Sequence, residues 1–132
     1  MSSAPHKLKL NLLPDVLAVC RLAPGDAVPA WAAGQGLVSV TRTADELSIV
    51  APRERVPDGV TAQRDFRALR VAGSLDFGAV GVLASLVGPL AAAGVSIFSI
   101  STYDTDYILV RQSDLDRAIA ALKSAGHTVE RT

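Results

Sequence analysis

Two short stretches hold the residue types from which a binding site could be made. The first is Ser74 to Gly81, SerLeuAspPheGlyAlaValGly. Gly78 and Gly81 would let backbone approach a small molecule closely, and the stretch opens an apolar helix whose first amides have no partner within the helix. Those amides, with the positive end of the helix dipole, suit a carboxylate or other small anion. The other reading is that Gly78 permits a tight turn and Gly81 a close helix–sheet approach. The spacing is neither a phosphate loop nor a dinucleotide fingerprint, since both require a third fixed position.

The second stretch is Ser101, Thr102, Tyr103, Asp104, Thr105 and Asp106. In an extended chain Thr102, Asp104 and Asp106 point to one side, so two carboxylates would share a face and could hold an ammonium or guanidinium group. The alternative is a solvated hairpin turn in which Asp and Thr bond to their own backbone. A small enzyme using Asp104 and Asp106 for acid–base work is the catalytic alternative, but no histidine, lysine or thiol is placed by sequence to complete it. No catalytic residue is therefore assigned, no cofactor is expected, and His6, His127 and Cys20 do not form a metal-ligand cluster.

These stretches lie on elements with clear periodicity. Val95 to Arg111 consists of two β-rich runs around a polar turn, and Leu37 to Val50 matches it sixty positions earlier: Leu37 with Ile97, Ser39 with Ser99, Val50 with Val110. One α+β module thus reads as written twice. His6 to Leu13, alternating with Leu8, Leu10 and Leu12 on one side, and Val16 to Leu22 read as strands, predicted to form a hairpin at Pro14 and Asp15. Val28 to Ala33 allows at most a two-turn helix with Trp31 packed on a sheet. Pro52 to Val60 is a polar, proline-containing linker, giving subdomains 1–60 and 61–132.

In the second half, Asp65 to Ala72 reads as a strand and Ala79 to Ala93 as a helix ended by Gly94. Pro89 inside that helix removes a backbone donor and leaves the Ser85 carbonyl without its usual partner. After the hairpin, Ser113 and Asp116 suggest a capping box, with Leu115, Ala118, Ile119 and Leu122 on one helix face. Gly126 ends that helix and a last strand follows. The order β, α, β, β, α, β is the ferredoxin-like pattern.

Composition narrows the function classes. Thirteen basic and thirteen acidic residues among 132 give a formal net charge of zero, so the basic footprint of a nucleic-acid binder is missing. With 49% hydrophobic residues the chain can bury a core. Its longest apolar stretch, 79 to 95, is interrupted by Gly81, Ser85, Gly88, Pro89 and Gly94, and reads as a buried helix rather than a membrane span. The N-terminus does not read as a signal peptide, and one cysteine in an apolar run suits a reducing cytosol, so a cytoplasmic location is expected.

Gly81, then Gly94 thirteen positions on, then ValSerIle, resembles the helix and second-strand signature of the ACT domain, a small ligand-sensing module of amino-acid metabolism. LeuAspPhe at 75–77, IleSerThrTyrAspThrAspTyrIleLeuVal at 100–110 and ThrArgThrAlaAspGluLeuSerIleVal at 41–50 together resemble small bacterial proteins of two tandem ACT domains, and are similar to the modules of the eukaryotic cytosolic arginine sensor. The resemblance implies an α+β fold of two ACT-like βαββαβ subdomains, their antiparallel sheets side by side, the first half being degenerate for want of a full helix. It implies a regulatory, non-enzymatic binder of a small amino acid at an interface between modules. The site it implies comprises Asp76, Phe77, Gly78, Val80, Gly81, Ile100, Ser101, Thr102 and Asp104, with loop amides on the α-carboxylate and Asp76 or Asp104 near the ammonium. A module that pairs with another protein without a ligand is the remaining alternative. Since the incomplete first half leaves one face to be supplied, a homodimer is expected, with neither nucleic acid nor membrane as partner.

Overall fold

A computed structural model describes residues 6–73 and 80–131. Its elements are β1 (Lys9–Leu12), β2 (Leu17–Leu22), β3 (Ser39–Arg42), β4 (Leu47–Pro52), β5 (Thr61–Val71), α1 (Val82–Ala92), β6 (Ile97–Ser101), β7 (Asp106–Arg111), α2 (Leu115–Ser124) and β8 (Thr128–Arg131). Among the described residues there are also three 3-10 turns, Ala30–Ala32, Arg53–Arg55 and Gln112–Asp114. The mixed α+β class expected from sequence is the one observed.

Two compact units divide these elements. One comprises Met1–Pro14 with Arg67–Thr132, the other Asp15–Phe66. β1 therefore joins the second half of the sequence. It pairs antiparallel with β5, Leu10 opposite Val71 and Leu12 opposite Leu69, and parallel with β8, Leu10 opposite Val129. The expected hairpin between the first two strands does not form. β2 pairs with β4 and with the first part of β5 instead. The reason lies in burial: Leu10 and Leu12 enter an apolar cluster with Leu69, Val71, Leu86, Leu90, Ile108, Val110, Leu115 and Leu122. The unit thus has the ferredoxin-like order from β5 to β8 with β1 inserted between β5 and β8, which makes one pairing of the sheet parallel.

Both helices of this unit end on glycine in the left-handed region. After α1, Gly94 has φ +73° and the Val95 amide donates to the Leu90 carbonyl at 2.9 Å. After α2, Gly126 has φ +98° and the His127 amide donates to the Leu122 carbonyl at 3.1 Å. Each is a Schellman-type stop, conformationally open to glycine without a Cβ penalty. The start of α2 departs from expectation. A 3-10 turn occupies Gln112–Asp114, so Asp114 holds the cap position with no side-chain cap bond, and its carboxylate pairs with Arg117 at 3.0 Å.

In the other unit, Ala18, Cys20, Ala32, Leu47, Ile49, Ala51 and Val56 form the core, with Trp31 packed against it. The short helix expected at 28–33 is a single 3-10 turn, Ala30–Ala32. Pro52 to Val60 does not behave as a free linker. The Arg64 guanidinium donates to the Val56, Pro57, Asp58 and Val60 carbonyls, gathering that segment around one cation.

The repeat is real but its offset is 59 at the turns rather than sixty. The Thr43 amide donates to the Glu46 carbonyl at 2.9 Å, and the Thr102 amide to the Thr105 carbonyl at 2.9 Å. In return the Glu46 amide donates to Thr43 Oγ1 at 3.2 Å and the Thr105 amide to Thr102 Oγ1 at 3.3 Å. Ile49 is thereby equivalent to Ile108, both buried. The 3-10 turns at Arg53–Arg55 and Gln112–Asp114 keep the same offset.

Cys20 is 2% exposed, and burial pushes its thiol up from its ordinary value, with the Arg64 charge opposing. The thiolate is the nucleophile, so the folded protein at pH 8 is expected to react with a disulfide reagent at least about tenfold more slowly than the protein in denaturant. Equal rates in the two states would show that Cys20 is accessible.

Candidate functional site

The start of α1 is shaped by Gly81, whose φ of +80° and ψ of 6° place it in the left-handed region. This geometry turns the chain into the helix without a side-chain cap, leaving the first-turn amides of 82–84 facing outward from the helix end. α1 contains no charged residue, so the dipole at its start is not offset from within the helix. Ser85 closes the first turn. Its amide donates to the Gly81 carbonyl at 3.0 Å, and its hydroxyl donates to the same oxygen at 2.8 Å.

The chain segment before β1 reaches this turn. The His6 amide donates to Ser85 Oγ at 3.3 Å, and His6 Nε2 lies 2.7 Å from the Val80 carbonyl, the geometry of a protonated ring nitrogen donating to it. The Val80 side chain is 79% exposed. Asp76, Phe77 and Gly78, expected to complete this part of the site, lie outside the described residues.

The hairpin from β6 to β7 supplies the second set. Ser101 stands opposite Asp106 in the register, and its hydroxyl donates to Asp106 Oδ1 at 2.6 Å. Ile100 is half-buried, whereas Ser101, Thr102 and Asp104 are exposed. Residues 102–105 form a turn held by Thr102, so the chain is not extended there, and the alternation that would set Asp104 and Asp106 on one face does not apply. Asp104 sits in the turn. Asp106 begins a strand, its carboxylate held by a hydroxyl rather than poised beside a base.

Thr105, named in the second stretch but given no role there, ties the hairpin turn to the end of β5. It is 3% exposed, and its hydroxyl donates to the Val71 carbonyl at 2.8 Å. Val71 ends β5, the strand from which the chain proceeds to Gly81. The hairpin turn is thus fixed at the end of the unit where α1 begins. The available signal was a threonine at the last turn position before an apolar strand, which is equally typical of exposed turns. Among the described residues, no group of three or more His, Cys, Asp and Glu is placed to hold a metal ion.

This arrangement has known counterparts. The ACT domain family model matches residues 61–124, from β5 through α2, and a second model, of an N-terminal domain, matches residues 15–59. Residues 61–124 form an ACT domain. A crystal structure of an Agrobacterium tumefaciens protein, 38% identical, matches 96% of this chain and 95% of its own with a TM-score of 0.92. The human cytosolic arginine sensor for mTORC1 subunit 1 is 37% identical over 59 residues, which is 44% of this chain and 18% of that protein. The chain thus matches about a fifth of the curated relative's length. The regulatory subunit of aspartate kinase from Thermus thermophilus, in its ligand-free form, shares the fold at 12% identity and a TM-score of 0.59, covering 84% of this chain and 93% of that one. The ACT match takes in α1, its start and the β6–β7 hairpin.

Proposed function

We propose that this chain binds a small amino acid at the end of the ACT unit where α1 begins, and that it acts as a regulatory sensor rather than as an enzyme. The observation that carries the proposal is the convergence at Val71: the hairpin turn is anchored, through Thr105, to the strand that leads into the glycine-started helix. On this proposal the amides following Gly81 receive the α-carboxylate, and Asp76 or Asp104 faces the ammonium. Phe77, Gly78 and Val80 line the loop side, while Ile100, Ser101 and Thr102 form the strand side. The family match and the names of the arginine sensor and the aspartate kinase regulatory subunit support an amino-acid effector. The sensor's description as cytosolic supports a cytoplasmic setting for this chain, and among the described residues no helix is long and apolar enough to cross a membrane.

A homodimer completes the proposal. Among the described residues β6 pairs with β7 alone, and its other edge carries half-buried Ile97, Phe98 and Ile100 and no charged residue, features of an edge that admits another strand. Titration calorimetry against the standard amino acids, arginine included, is expected to show saturable heat with at least one, and sedimentation velocity a dimer tightened by that ligand. No heat and no thermal shift with any amino acid would overturn the binding proposal. A monomer at every concentration, with ligand saturating, would confine the site to one chain.

A further inference from the structure

Proline at position 89 deprives α1 of one backbone donor, because the residue four positions after Ser85 has no N–H. The Ser85 carbonyl is nevertheless satisfied. His127 Nε2 lies 2.9 Å from it, while the other ring nitrogen, Nδ1, accepts the Leu8 amide at 3.0 Å. An amide can only donate, so Nδ1 carries no proton and Nε2 carries the ring's hydrogen: the partners fix the tautomer. The imidazole is 4% exposed. It is delivered there by Gly126, whose left-handed conformation ends α2 and pins the His127 amide on the Leu122 carbonyl.

We infer that His127 is a positioning residue for the start of α1. Its Nε2–H replaces the donor lost at Pro89, and through Ser85 it fixes the helix turn that runs back to Gly81. Ser85 is the junction: its carbonyl takes His127, its hydroxyl donates to the Gly81 carbonyl, and its Oγ accepts the His6 amide. The imidazole therefore ties α1 to the end of α2 and to the segment entering β1. A small displacement at Ser85 moves the first-turn amides directly. The consequence for ligand affinity rests on the proposed amino-acid site; the consequence for the helix does not.

The two ring nitrogens are separable by substitution, because a glutamine amide nitrogen reaches the position of Nε2 and an asparagine oxygen that of Nδ1. In the full chain, His127→Gln keeps a donor for Ser85, and His127→Asn keeps an acceptor for Leu8 while losing that donor. Amide hydrogen exchange across Leu83 to Gly88 is expected to stay within about threefold of the parent in His127→Gln and to rise at least tenfold in His127→Asn. Adding Pro89→Ala to His127→Asn supplies a backbone N–H to Ser85 and should bring exchange back to within about threefold. The dissociation constant for the amino acid identified by titration should follow the same order, at least tenfold weaker in His127→Asn and recovered in the double variant.

Equal exchange in the Gln and Asn variants, or no recovery with Pro89→Ala, would overturn the inference, since a residue that merely fills space makes no such distinction. Should His127→Asn fail to fold, the Pro89→Ala double variant must fold for the inference to stand. If the parent binds no amino acid, the binding proposal fails while the exchange measurements still decide the role of His127.

Discussion

Leu12→Ala is expected to lower the unfolding free energy by about 2–5 kcal/mol, the range for removing a buried leucine that leaves a cavity. Leu12 is 1% exposed and packs in the cluster that holds α1 and α2 onto the sheet. Nothing in the order of elements along the chain makes this expected, because residue 12 lies far from the ACT match that begins at 61. The strand pairing does. β1 lies between β5 and β8, so its leucines are as central to the ACT unit as Leu69 or Leu90. Urea denaturation followed by circular dichroism measures the loss, and amide exchange locates it. The increase should appear in α1, α2 and β8. A loss below about 1 kcal/mol, or exchange rising only between 15 and 66, would show that β1 does not belong to that core.

The same strand marks the limit of what was legible in the sequence. Periodicity was enough for β6 to β8 and for the ends of both helices, which the glycines at 94 and 126 stop by a local mechanism, but it began β5 at Asp65 where the strand begins at Thr61. The partner of β1 was not legible. Alternating leucines at 8, 10 and 12 specify a face, but a strand with one apolar face fits any sheet edge or gap, and only the full set of competing pairings decides. The repeat offset failed for a related reason: in runs as apolar as 37–50 and 95–110, a slide of one position still sets hydrophobic residues against one another. It is the bonding of Thr43 and Thr102 in their turns that fixes the alignment at 59.

The site divides in the same way. The hairpin was readable from residue type, since a polar segment between two strands has few uses; the sequence pattern puts Gly81 inside a helix begun at Ala79, whereas it stands before Val82 in left-handed geometry. Thr105 and His127 were not readable, because their roles are contacts with Val71, Leu8 and Ser85, none adjacent in sequence. The Ser85 carbonyl was nevertheless predictable as a group in need of a donor, from Pro89 alone. What sequence lacked was the direction from which that donor would come.

Gly81→Val is expected to cost about 1–2 kcal/mol or more in stability as well as amino-acid binding, because an L-residue in left-handed geometry clashes with its own backbone and a branched side chain does so more severely. Had Gly81 lain in ordinary helical geometry, the valine would have been nearly harmless to folding and loss of binding would have pointed straight to the pocket. At φ +80° the two effects are confounded. Gly81→Asn separates them. Asparagine visits the left-handed region readily, and among the described residues a Cβ at position 81 meets nothing within 4 Å. Thermal unfolding should therefore rank the parent and Gly81→Asn close together, with Gly81→Val several degrees lower. Titration of the Asn variant then reports on the site itself. If the ligand's carboxylate approaches the amides after Gly81, a side chain projecting at that entrance should weaken binding at least about tenfold while the fold is intact. An Asn variant as stable as the parent that binds just as tightly would place the pocket away from the start of α1.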